Sequence, residues 1–267
     1  MLNRLIVEPG KDAGLAERDP ADKLGLDSKD DAKAKLAEVV EEIATLHDRL
    51  YAEGARSVIL VLQGLDASGK DGTIRAVFTG LNPQGCRVAS FKAPTATELA
   101  QDYLWRIHAV CPRRGEIAIF NRSHYEDVAT VSVKELAPQD VVKRRPHHIK
   151  EFERLLVDEG TTVVKVFLHV SREEQGERLR ERLANPEKQW KFRSGDLDDR
   201  ARWDDFMAAY EDVITKTSTE WAPWYIVPAD RNWVRNLAVA KILLETLRKL
   251  DPKLPAPAED LSKITII

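Results

Sequence analysis

Cysteine is nearly absent from this chain: Cys86 and Cys111 are the only two among 267 residues. A disulfide framework and a four-cysteine zinc site are therefore excluded. No apolar run approaches the ~20 residues of a membrane-spanning helix, so no membrane partner is expected. The opening residues, MLNRLIVEPGKDAG, lack a long apolar core and a small-residue cleavage site, and do not read as a secretory signal. An excess of one charge is missing too, since 41 Lys+Arg face 44 Asp+Glu for a net charge of −3. Without a basic field no nucleic-acid partner is expected, and any site for a polyanion must come from local clustering. What remains is an ordinary globular composition, 43% hydrophobic and 32% charged, of a length for one large or two small domains. The expected location is cytoplasmic.

Hydrophobic periodicity sets the organisation. Residues 1–30 are polar and without a lasting period, and read as an extended N-terminal arm. Leu36, Val39, Val40, Ile43, Leu46 and Leu50 then recur at helical steps to about Gly54. Five short apolar runs follow: 57–63, 87–91, 116–120, 161–170 and 224–229. Helical patterns separate them at about 70–79, 95–110, 138–158, 171–185 and 199–218, and a last one covers 231–250. Strands alternating with helices predict an α/β fold with a five-stranded parallel sheet flanked by helices. No linker divides the chain, so 31–250 reads as one domain and 251–267 as a tail.

The chemistry starts at GLDASGKD (64–71), which satisfies G-x-x-x-x-G-K (Walker A) between a strand and a helix. Gly64 and Gly69 let the backbone wrap closely, and the peptide N–H groups of Ala67, Ser68, Gly69, Gly72 and Thr73 lie where a helix N-terminus forms a positive concavity. Lys70 adds a point charge for phosphoryl oxygens. Position 71 is Asp rather than the usual Ser or Thr, and reads equally as a site residue or as a carboxylate favoured by the helix dipole. Asp66, inside the loop, would repel phosphate unless a cation lay between them, which makes it a candidate Mg²⁺ ligand.

A second polar cluster, NRSHYED (121–127), follows the third strand directly. Ligands of open parallel sheets bind at the carboxyl ends of strands, so this loop should lie beside the first. Arg122 suits phosphate, and Glu126 and Asp127 suit metal; His124 is read as structural, because phosphoryl transfer depends on positioning and charge neutralisation. Arg178 and Arg182, four apart, share a helix face; Lys188, Trp190 and Lys191 follow in a loop. Spacing alone leaves them open between a lid over phosphates, at about 172–200, and a solvated helix. Trp190, among cations, is a candidate to stack on a base. A further basic stretch, KRRPHHIK (143–150), would suit a long polyanion.

GLDASGKDGT, FNRSHYEDV, ERLANPEKQWKFRSGDL and APWYIVPADRNW, in that order, resemble the polyphosphate kinase 2 family over about residues 30–250. The resemblance implies a P-loop kinase fold similar to thymidylate kinase, with a helical lid, and phosphoryl transfer between inorganic polyphosphate and nucleotides with Mg²⁺ or Mn²⁺. Asp66 and Lys70 then match the family's loop carboxylate and lysine, Arg122 its Walker B-like arginine, and Arg178 and Arg182 its lid. Asn121 and Glu126 stand where one branch has Asp and Asn, and this version resembles the branch that uses both AMP and ADP. The expected site comprises Asp66, Lys70, Arg122, Glu126, Asp127, Arg178 and Arg182 for catalysis, with Asn121, Arg122 and Trp190 toward the nucleotide. Metal would fall to Asp66, Glu126 and Asp127. The expected activity is reversible transfer from polyphosphate to AMP or ADP, giving ADP or ATP, without a covalent intermediate. An ATP-dependent nucleoside monophosphate kinase and a non-catalytic P-loop nucleotide-binding protein are the alternatives. A homodimer or homotetramer is expected, with Ile264, Ile266 and Ile267 as an apolar C-terminus compatible with pairing.

Overall fold

The computed structural model describes residues 2–266. Its strands are β1 (Ile6–Val7), β2 (Ser57–Gln63), β3 (Cys86–Ser90), β4 (Ile117–Asn121), β5 (Thr161–His169) and β6 (Trp224–Pro228). They form one sheet in the order β1-β6-β5-β2-β4-β3. Every residue of β2 is buried, as is all of β5 except Thr162. Such mostly apolar runs suit strands covered on both faces.

The helices are α1 (Lys29–Glu53), α2 (Lys70–Val77), α3 (Ala96–Leu99), α4 (Trp105–His108), α5 (Ala129–Val133), α6 (Gln139–Asp158), α7 (Arg172–Ala184), α8 (Pro186–Gln189), α9 (Gly195–Ala201), α10 (Trp203–Thr217) and α11 (Asn232–Leu250). The α1 and α11 helices pack together with α2 beside them, while α10 packs against α5 and α6. Ser28 caps α1 and Ser171 caps α7, each accepting from a backbone N–H three residues on; such caps contribute about 1 kcal/mol each.

Strands β2 to β6 are mutually parallel, as the sequence predicts. The sixth strand is the difference. β1 pairs antiparallel with β6, matching Ile6 to Tyr225 and Val7 to Trp224. The first 28 residues are thus no extended arm. Leu5, Val7, Ala13, Leu15, Leu24 and Leu26 are buried in the common core. Glu211 fixes the segment by accepting from the N–H groups of Gly14 and Leu15 at 2.8 Å. Irregular backbone tied by such side-chain bonds carries no period, so the pattern does not reveal its burial.

The helix read at 95–110 is two short pieces. Thr95 and Glu98 form a capping box on α3, and Asp102 then accepts from Leu104 and Trp105 N–H, starting α4 anew. The stretch read at 199–218 likewise divides into α9 and α10 around Arg202. At the tail, Ile264 and Ile266 are exposed, and Ile267 lies outside the described residues.

Topology fixes where a site forms. From β2 the chain goes to the outer β3, returns to β4 beside β2, then crosses to β5 on β2's other flank. The connections reverse direction at β2, and crevices at such points are where open α/β sheets bind ligands. No described helix is long and apolar enough to cross a membrane.

Candidate active site

The β2 strand ends at Gln63, and the loop Gly64–Gly69 turns the chain into α2. Gly64 adopts φ +146° and Gly69 φ +103°, conformations that side chains disfavour. A Cβ at 64 would fall 2.8 Å from the Leu168 carbonyl, and one at 69 would fall on the Arg235 guanidinium. Ala67 is also left-handed, at φ +61°.

The loop's carbonyls are taken up one after another. Lys70 Nζ donates to Gly64 O at 2.6 Å and Leu65 O at 3.2 Å. Gln175 Nε2 donates to Asp66 O at 3.0 Å. Arg178 donates to Ala67 O at 2.9 Å and Ser68 O at 3.1 Å, and Arg235 to Ser68 O at 3.3 Å. Thr73 Oγ1 closes the series on Gly69 O at 3.2 Å. In a trans peptide the next residue's N–H points opposite its neighbour's carbonyl. Carbonyls drawn toward α7 and α11 therefore turn the N–H groups of Ala67 and Gly69 the other way.

Asn121 and Arg122, at the end of β4, lie across from this loop. Arg122 is held in the left-handed region at φ +64°. Its guanidinium pairs with Asp66 and lies 3.6 Å from Glu126. Burial acts against its charge, but Glu126 and Asp66 outweigh it and raise the Arg122 pKa. Burial likewise raises Asp66, yet Arg122, Lys70 and Arg182 together hold that carboxyl below the usual range. Lys70 is buried; desolvation and Arg122 push it down to about 8. Glu126 accepts from Thr130 Oγ1 at 2.7 Å and Tyr210 Oη at 3.4 Å, and the Gln63 amide nitrogen reaches it at 2.9 Å. A narrow cleft is lined by Asp66, Arg122, Glu126, Gln175 and Tyr210.

A buried network braces the second loop from below. Lys165, in the middle of β5, donates to Glu153 at 2.6 Å, Tyr125 Oη at 3.1 Å and Thr217 O at 2.7 Å. Tyr125 Oη in turn donates to Glu153 at 2.6 Å. His124 is buried 3.5 Å from Glu153, consistent with a structural role.

Several expected site residues stand elsewhere. Asp127 does not join Asp66 and Glu126. Its carboxylate pairs with Arg106 at 3.1 Å, and burial keeps its pKa above the usual range. Successive residues of a 3-10 turn point about 120° apart, so neighbours 126 and 127 face different ways. Arg178 is neither on a solvated face nor free for phosphate: besides the loop it donates to Ala229 O and Asp230 O, and its Nε to Glu174 at 2.8 Å. Arg182, one turn on, lies 3.5 Å from Asp196, and its charge helps lower the Asp66 pKa. Asp71 accepts from Asn121 at 2.9 Å and from Lys191 at 3.0 Å, tying the α2 start to both the second loop and the segment after α8. Lys188 is exposed, 3.9 Å from Glu181, and Trp190 is 76% exposed with Lys191 over its ring. Neither Lys188 nor Trp190 lines the cleft.

Sequence reasoning missed Gln175, Tyr210, Asp196, Asp199 and Arg235. Arg235 carried a signal, because it sits on the apolar side of α11 between Val234 and Leu237. Asp199, in the cleft wall, is paired with Lys134 at 2.6 Å. Among the described residues no three His, Cys, Asp or Glu side chains converge as a metal cage. Asp66 and Glu126 nonetheless offer the hard oxygen donors that suit Mg²⁺, which takes one or two carboxylates and completes its shell with water and phosphate.

Known proteins resemble this chain over most of its length. The family model described as "Polyphosphate kinase 2 (PPK2)" matches residues 26–255. An AMP/ADP-polyphosphate phosphotransferase of Meiothermus ruber is 54% identical over 99% of this chain and 100% of its own length. An ADP-polyphosphate phosphotransferase of Rhodopseudomonas palustris is 43% identical over 86% of this chain and 83% of its own. The crystal structure of a polyphosphate kinase 2 from Arthrobacter aurescens TC1 superposes with a TM-score of 0.93 at 41% identity, covering 97% of this chain and 93% of that one.

Proposed function

The chain belongs to the polyphosphate kinase 2 family, and from that premise we propose that it transfers phosphoryl groups from inorganic polyphosphate to AMP and ADP. The observation that carries the reading is the pairing of a carbonyl-clamped glycine loop and Lys70 with Arg122, Asp66 and Glu126 across one crevice. The Gly64–Gly69 turn acts as the phosphate loop. Its inward N–H groups hold the transferring phosphates, joined by Lys70 as Nζ exchanges the Gly64 and Leu65 carbonyls for phosphoryl oxygens, and Arg122 spreads the charge that develops on them. Such transfer needs positioning and charge neutralisation rather than a protein nucleophile, so no covalent intermediate forms. Transfer runs in both directions, because one phosphoanhydride bond breaks as another forms and a catalyst lowers the barrier of both directions alike. Mg²⁺ or Mn²⁺, held by Asp66 and Glu126, would neutralise phosphate charge when bound. Asp127 takes no part in holding it.

The segment from α7 through α9 acts as a lid, with Arg182 helping to lower the Asp66 pKa and Lys191 latched to Asp71. Closing it excludes water and limits hydrolysis of the donor. Acceptance of both AMP and ADP rests on the Asn121/Glu126 pattern and on the named activity of the Meiothermus ruber relative. The test is product formation from purified protein, long-chain polyphosphate and Mg²⁺, with AMP and ADP supplied separately and ATP omitted. Product from both acceptors is expected. Product from ADP alone removes the dual-acceptor reading. Turnover of ATP with AMP, and none with polyphosphate, replaces the whole reading with a nucleoside monophosphate kinase.

A further inference from the structure

Arg235 lies in the first turn of α11, 4% exposed, with its guanidinium laid over the Cα of Gly69 and close to Gly72. It donates to Ser68 O at 3.3 Å and to Asn236 Oδ1 at 3.1 and 3.0 Å. These acceptors are uncharged. Glu174, the carboxylate that favours its charge, is itself engaged by Arg178 Nε at 2.8 Å. Arg178 meets Arg235 on the same carbonyl, so two guanidinium groups converge on Ser68 O. Burial and Arg178 lower the Arg235 pKa to about 10, which still leaves it cationic at neutral pH.

A buried cation on uncharged acceptors is a costly arrangement in the free protein. It is matched once an anion sits on the loop's other side, one peptide away. The contact also gives Gly69 a second reason to be glycine, since any Cβ there would displace the guanidinium. We propose that Arg235 is a positioning residue for the polyphosphate chain: it braces the loop at Ser68 and Gly69 and supplies a buried positive charge that phosphate compensates. The proposal rests on the phosphate-loop reading above.

The test uses the full chain and tripolyphosphate with Mg²⁺. The dissociation constant and the ligand-induced rise in Tm are measured for wild type, R235K and R235Q. R235Q is expected to melt no lower than wild type when free, to bind tripolyphosphate about tenfold or more weakly, and to lose most of the ligand-induced rise. R235K, which keeps the charge but not the planar fork, should fall between. A brace without an electrostatic role gives the opposite pattern: R235Q melts lower when free and binds within twofold of wild type, which overturns the proposal. Should R235Q fail to fold, a folded R235K that binds as wild type overturns it, and one at least threefold weaker supports it. A wild-type chain that does not bind tripolyphosphate overturns the phosphate-loop reading, and this proposal with it; wild-type binding retained by R235Q overturns the proposal alone.

Discussion

Replacing Lys70 by Met should leave the free protein at least as stable as the parent while removing its turnover. The ammonium is buried beside Arg122, and its pKa falls from an ordinary 10.5 to about 8. Holding it charged there costs about 3 kcal/mol. The hydrogen bonds to Gly64 O and Leu65 O, lost in the variant, return about 1 kcal/mol each. The balance is about 1 kcal/mol in favour of Met, or roughly 2 °C in Tm for a chain of this size. The pH dependence has a definite sign. The folded state releases this proton more readily than the unfolded one, so the cost is fully present below pH 8. It is lost as pH rises from about 8 to 10.5, where both states become neutral. The advantage of the variant should therefore shrink across that window. Thermal unfolding of both proteins from pH 6 to 10 reads the stability, and polyphosphate-dependent nucleotide formation reads the activity, expected to fall by about three orders of magnitude. A variant that melts several degrees below the parent at pH 7, or that keeps turnover within tenfold, refutes the reasoning.

Lys165→Met leaves Glu153 buried without its cation and should cost about 3–5 kcal/mol, read as a lower urea midpoint. Glu153→Gln added to it should restore part of that loss, since the unpaired charge is then gone. Asp66→Asn and Asp127→Asn should separate two carboxylates that look alike in sequence. The first should raise the Mg²⁺ concentration for half-maximal turnover by about tenfold. The second should leave that concentration unchanged, because Asp127 pairs with Arg106 rather than lining the cleft. Lys191→Ala removes a partly exposed pair with Asp71, so stability should stay within about 0.5 kcal/mol while the KM for polyphosphate rises several-fold.

The sheet was legible because β2 and β5 are buried on both faces and read as mostly apolar runs, broken in β5 by Lys165. The glycine loop was legible because its strand-to-helix context and its spacing are local. The first residues were not, because Leu5, Ala13, Leu15 and Leu24 enter the core from loops and from 3-10 helices of three or four residues, too short to impose a period. The same limit divides the site. Sequence spacing gives which residues share a helix face, and Arg178 and Arg182 do share one. It does not say that Arg178 spends its donors on Ala67, Ser68, Ala229 and Asp230, because those acceptors lie 51 to 111 residues away. Nor does it separate Glu126 from Asp127, where the turn alone decides that one carboxylate meets Arg122 and the other Arg106. A motif names the groups that approach phosphate. The groups that hold the motif in shape come from α7 and α11 and are recognised only by what they touch. Arg235 stands at the border between the two kinds. Charge on the buried side of a helix is itself a signal, because burying an arginine is costly unless something compensates it. Asking which anion compensates Arg235 leads back to the loop it braces.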